Sequence, residues 1–190
     1  MVYVTGDMHG DPGRLSDPAL RRLKKGDILL VCGDFGFVWD GSAAEQKLLR
    51  RIGKQKYTIA FLDGRHENFD LLAAYPTEEW HGGQAQILND RLVHLLRGEI
   101  YTLEGRTFFA FGGGESDDRE FRVPGKSWWQ EEMPTEAEMR RGIDHLAAQD
   151  NRVDYILTHV PARTAAVRLN PRGAMDGVSL FLGGIEDTVQ

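Results

Sequence analysis

The chain opens on a short apolar run, Val2-Tyr3-Val4, which predicts a strand leading into Asp7-Met8-His9-Gly10. Residues 11–25 are polar with scattered Leu, the pattern of a short helix and a turn. Residues 27–32, Asp-Ile-Leu-Leu-Val-Cys, form an apolar run suited to a strand buried on both faces, and the run ends in Gly33-Asp34. Over 42–55, Ala43, Ala44, Leu48, Leu49 and Ile52 recur at near-helical spacing with Lys and Arg between them. That predicts an amphipathic surface helix with Ser42 as its N-cap. A third apolar run at 57–62 ends in Asp63-Gly64-Arg65-His66-Glu67, and a short helix over 68–75 is closed by Pro76. Strand and helix in alternation predict a parallel α/β sheet.

The pattern then changes. Three strand-like runs follow at 92–96, 99–103 and 106–111, with Glu104-Gly105 as a two-residue hairpin signal between the last two. Together they predict an antiparallel meander forming a second sheet packed on the first. Gly112-Gly113-Gly114 breaks the chain, and 115–130 is loop-like with Trp128-Trp129 inside it. Thr135 and Glu138 have capping-box spacing before an apolar stripe of Ala137, Met139, Ile143 and Leu146. Another buried strand is expected over 153–157, ending in Thr158-His159, and Asp176 caps a last helix through 182.

Composition narrows the class. The 190 residues suit one domain, and 41% hydrophobic with 27% charged residues is ordinary for a globular protein. A net charge of −6 argues against nucleic acid as a partner. Cys32 has no second cysteine to pair with, so a reducing, cytoplasmic location is expected. The N-terminus shows no signal-peptide pattern, and no apolar stretch approaches the roughly 20 residues of a membrane span.

The chemistry lies where the strands end. Four apolar runs terminate in residues able to ligate a metal: Asp7 and His9, Asp34, His66, and His159. In open α/β sheets ligands bind beyond the carboxyl ends of strands. An Asp and a His two positions apart on extended backbone point the same way, so their donor atoms converge. Carboxylate oxygens mixed with imidazole nitrogens suit Mn, Fe or Zn.

Gly6-Asp7-Met8-His9, Gly33-Asp34, Gly64-Arg65-His66-Glu67 and Thr158-His159 together resemble the calcineurin-like metallophosphoesterases, in a small bacterial branch. The family pattern is Gly-Asp-x-His, Gly-Asp, Gly-Asn-His-Asp/Glu, an isolated His, and Gly-His-x-His. The resemblance implies a two-sheet β-sandwich flanked by helices, with two divalent ions at the strand ends. Asp7 and His9 would hold the first, Asp34 would bridge both, and His159 would hold the second. His66 would face the substrate phosphate without binding metal. The implied reaction is hydrolysis of a small phosphate mono- or diester by metal-bound hydroxide, with His66 assisting.

Two departures follow. Arg65 stands where the pattern has Asn, and Arg has no lone pair to give a cation. The Gly-His-x-His does not occur in 1–190, so the domain is expected to be truncated at its C-terminus. Weakened metal binding, with one ion or none, is therefore expected, as is substrate binding by Arg65, its guanidinium forking onto a phosphate or onto Asp34. A degenerate phosphate-binding member without catalysis is the alternative. Oligomeric state is left open.

Other residues carry weaker signals. Trp128-Trp129 suit either a wall over the site or plain burial. Arg119 and Arg122 could reach a phosphate but, set among acidic residues, read rather as solvated surface pairs. Glu115, Asp117 and Asp118 could hold a metal but read rather as a solvent-facing cluster. His81, His94 and His145 read as structural or surface residues, and Cys32 as a small core residue.

Overall fold

The structure, a computed structural model, describes residues 1–170 and 175–190. Its strands are β1 (Val2–Thr5), β2 (Ile28–Cys32), β3 (Thr58–Leu62), β4 (Thr77–Trp80), β5 (Gly83–Asn89), β6 (Leu92–Leu95), β7 (Glu99–Leu103), β8 (Arg106–Phe111) and β9 (Tyr155–Thr158). The helices are α1 (Ala43–Ile52), α2 (Phe69–Ala73), α3 (Glu136–Ala148), α4 (Arg163–Leu169) and α5 (Gly177–Thr188). One sheet has the order β1-β2-β3-β6-β5-β4 and the other β7-β8-β9. This is a mixed α/β fold of two sheets flanked by helices, as the sequence predicts.

Alternation along the strands builds three cores from two sheets. In β2, Leu29 and Val31 join Ile59 and Phe61 of β3 in a cluster that includes Leu49 and Ile52 of α1. The intervening Ile28 and Leu30 face the second sheet, where they share a cluster with Tyr101, Leu103, Phe108 and Ala110. In β8, Phe109 and Phe111 turn outward onto Leu146 of α3 and Leu182 and Ile185 of α5. With β2 packed on both sides, a one-residue slip would exchange the two sets of side chains, so its register is fixed.

The predicted caps form. Ser42 Oγ accepts from the Glu45 N–H at 3.1 Å, Thr135 and Glu138 make a reciprocal capping box, and Asp176 Oδ1 accepts from the Ser179 N–H at 2.7 Å. Residues 11–25 form two 3-10 turns rather than a helix. The last helix runs past 182 to Thr188.

The expected meander is corrected. β6 pairs parallel with β3 and antiparallel with β5, not with β7. The chain crosses between sheets at Arg97-Gly98, so only β7 and β8 form the expected hairpin. β9 then joins β8 in parallel. β4, with its first three residues exposed, showed no apolar alternation to read. No helix among the described residues is long and apolar enough to cross a membrane.

A buried ion pair fixes the turn after β3. Asp63 and Arg97 are 1% and 4% exposed. Arg97 Nε donates to Asp63 Oδ2 at 2.8 Å, and Asp63 Oδ1 lies 3.2 Å from His94 Nε2. Burial pushes the Asp63 carboxyl up, but the Arg97 charge and the hydrogen bonds from His94 and Arg97 outweigh it and leave it at about 2. The folded value lies below the ordinary 3.8, so this contribution is present above that value and is lost as pH falls toward about 2. Arg97→Met, which strands Asp63, is expected to lower the unfolding free energy by about 3–5 kcal/mol in urea titrations at neutral pH. In Asp63→Asn the acid-side slope of stability against pH should flatten. A loss under about 1 kcal/mol for Arg97→Met would show that the pair does not hold the turn.

Candidate metal centre

The carboxyl ends of β1, β2, β3 and β9 deliver the sequence-predicted residues to one place. The first two loops are stitched backbone to backbone. Met8 and His9 N–H groups donate to Asp34 O at 2.9 and 2.8 Å, and the Gly10 N–H donates to Phe35 O at 3.0 Å. His9 and Asp34 both adopt left-handed backbone, with φ of 49° and 42°, a conformation stored at functional sites and held by surrounding structure. Gly33 has φ of 91°, and a Cβ there would run into the His159 ring. A Cβ on Gly64 would meet Asp34 Oδ1. Both glycines are therefore required by close approach to a predicted ligand.

Asp7, His9, Asp34 and His159 form a closed ring of donor atoms. His9 Nε2 lies 3.5 Å from Asp7 Oδ2, and His9 Nδ1 lies 3.7 Å from Asp34 Oδ2. His159 Nε2 lies 3.6 Å from Asp34 Oδ1, and His159 Nδ1 lies 3.7 Å from Asp7 Oδ1. These separations exceed a hydrogen bond. The contacts pass through both nitrogens of each imidazole and both oxygens of each carboxylate, so they link the four residues around one centre rather than setting one atom of each about a single ion.

The tautomer of His159 sharpens the fit. Its Nδ1 lies 3.2 Å from Cys32 O, and a carbonyl only accepts, so Nδ1 carries the hydrogen. A metal-bound imidazole commonly makes this bond through its other nitrogen. The lone pair is then on Nε2, which is buried without a hydrogen-bond partner. Two lone-pair-bearing atoms, His159 Nε2 and Asp34 Oδ1, therefore face each other. A second proton on the imidazole or a cation shared between the two atoms relieves their repulsion, and the residues present fit a divalent ion in that place.

Asp34 is 1% exposed. Its Oδ1 accepts from the Arg65 and His66 N–H groups at 2.6 and 2.9 Å, and Oδ2 lies 2.7 Å from His66 Nδ1. Burial raises its pKa, yet these bonds and the neighbouring His159 and His66 hold the carboxyl far below the usual range. His9, Asp34 and His66 each bring a donor atom within 4.8 Å of one another. Among the described residues this is the one group of three whose donor atoms come that close, and it shares His9 and Asp34 with the ring of four.

A sequence model of the family described as calcineurin-like phosphoesterase matches residues 1–184. The chain belongs to the calcineurin-like phosphoesterases. No match was found among curated proteins or among solved structures. The family implies hydrolysis of phosphoesters with divalent metals.

In this chain Arg65 reaches Asp34 only through its backbone. Its guanidinium turns away, with Nη1 donating to Glu115 O at 3.3 Å and lying 4.0 Å from Asp117. The expected fork onto Asp34 is therefore not what the side chain makes. Arg119 pairs with Glu115 at 2.8 Å, as expected of a surface pair. Arg122 corrects the expectation of a merely solvated pair. It does bond Asp118, but its Nη2 also sits 2.8 Å from His66 Nε2. Trp129 is buried, its Nε1 donating to Asp70 Oδ2 at 2.8 Å, with Trp39 packed edge-on.

Glu67 is the residue whose role was not foreseen. It is fully buried, and its two oxygens accept from the Phe35 and Gly36 N–H groups at 2.6 and 3.2 Å, clamping the loop that carries Asp34. Burial pushes its carboxyl well up, against those two bonds. The only signal in the sequence was its place directly after His66.

Mn(II) titration by calorimetry separates the ring of Asp7, His9, Asp34 and His159 from the triad of His9, Asp34 and His66. His159→Ala should weaken binding by at least about 10-fold, and His66→Ala by less than about 3-fold. The reverse ranking would assign the ion to His9, Asp34 and His66.

Proposed function

We propose that this chain hydrolyses a phosphate mono- or diester, with Asp7, His9, Asp34 and His159 holding divalent metal and His66 assisting. The observation that carries the reading is the facing pair His159 Nε2 and Asp34 Oδ1, 3.6 Å apart inside the donor ring. Bound there, an ion such as Mn, Fe or Zn supplies Lewis acidity toward phosphoryl oxygens and, by lowering the pKa of water, a nucleophile at neutral pH.

The chain's own residues do the rest. Asp34 orients His66 by accepting from its Nδ1, as the third group of a catalytic set orients a base. That leaves Nε2 as the atom of His66 able to exchange a proton with a substrate oxygen. Half-burial of His66 limits water around that nitrogen. The donor ring lies in loops that the glycines and Glu67 hold fixed, which favours reaction geometry over adaptation.

One observation favours a second reading. Arg65 occupies the position where the resemblance has an Asn ligand, and it has no lone pair to offer. A metal-poor protein that binds phosphate without hydrolysing it is consistent with that residue.

Mn-loaded protein is expected to turn over p-nitrophenyl phosphate or bis(p-nitrophenyl) phosphate. His66→Gln should lower kcat by about 10²–10⁴-fold while Mn affinity changes little. Bound Mn with no turnover of either ester would favour the non-hydrolysing reading.

A further inference from the structure

Arg122 lies on the segment between β8 and α3, remote in sequence from every strand-end motif. Its Nη2 nevertheless sits 2.8 Å from His66 Nε2. A guanidinium can only donate, so Nε2 accepts, and the Nδ1 facing Asp34 is the ring atom carrying hydrogen. Arg122 therefore covers the one atom of His66 that remains for a substrate oxygen.

Its position is built. Nε and Nη2 grip both oxygens of Asp118 at 2.7 and 2.8 Å, and Nη1 donates to Ser127 O at 3.1 Å. The side chain is 19% exposed. The segment is tied at both ends. Ser116 donates to the buried Glu132 through N–H at 2.8 Å and Oγ at 2.6 Å, and Trp129 donates to Asp70.

We propose that Arg122 is a further substrate-contacting residue, donating to a phosphate oxygen that inserts between its guanidinium and His66 Nε2. The inference rests on the phosphoesterase reading above and deepens it. Phosphate oxygens are strong acceptors, and Arg is the side chain best matched to them. With the site free of phosphate, donor and imidazole close on each other. With phosphate present, the same oxygen takes the Arg122 N–H on one side and faces His66 on the other. Asp118 is then a positioning residue that aims the fork.

The test reads binding of inorganic phosphate by calorimetry, with and without Mn, alongside ester turnover. Arg122→Ala and Arg122→Gln should weaken phosphate by about 10- to 100-fold and raise KM for the ester, with Mn affinity and thermal melting unchanged. Arg122→Lys should recover part of the loss, and Asp118→Asn should show a smaller one. If Arg122→Ala does not fold, Arg122→Gln decides. Unchanged phosphate affinity and turnover in Arg122→Gln would overturn the role of Arg122 and leave the phosphoesterase reading standing. Phosphate binding that depends on Arg122 without turnover of any ester would keep Arg122 and remove hydrolysis. A wild-type protein that binds no phosphate under either condition would overturn the inference.

Discussion

A carboxylate taken out of water must be matched on every side, and Asp34 is that carboxylate. At 1% exposure it has almost no solvent to fall back on. Two backbone N–H groups and one imidazole bond it directly, and His9 and His159 stand just beyond hydrogen-bond range. Its carboxyl is held ionised against the pull of burial. Removing a partner would leave an unpaired buried charge, among the costlier defects a core can carry. The loops after β1, β3 and β9 are therefore arranged as much by Asp34 as by their own sequences.

The sandwich makes that convergence reproducible. β2 is buried between β1 and β3 and between two cores, so its end lies at a fixed height. The neighbouring strands run parallel to it and end at the same edge, so their polar loops meet there. β9 reaches this edge from the second sheet, and only a residue without Cβ at Gly33 lets His159 come close. The centre thus sits at the edge where two sheets packed on a shared core meet.

What could be read from the residues divides along physical lines. Strands β2 and β3 were legible because burial on both faces leaves an unbroken apolar run. Their closing Asp and His residues were legible because four apolar runs of one chain each end in a metal-ligating residue type. β4 was not, since an exposed edge strand needs no apolar alternation. The pairing of β6 was misjudged because periodicity reports which face is buried and says nothing about the neighbour. Glu67 was missed, and a reach to phosphate by Arg122 could be named but not preferred, for a related reason. Each acts across the fold, on His66 and on the Asp34 loop, at separations of 56 and 32 residues that no local pattern encodes. The direction of the Arg65 guanidinium is likewise set by Glu115, far along the chain.

The account stands on a divalent cation held between His159 Nε2 and Asp34. Crystals grown with Mn(II), with data collected at the manganese absorption edge, test this most directly. The account predicts an anomalous peak within bonding distance of both His159 Nε2 and Asp34. A well-occupied peak bonded to neither, or a hydrogen bond closing the gap between those two atoms in metal-containing crystals, would contradict it.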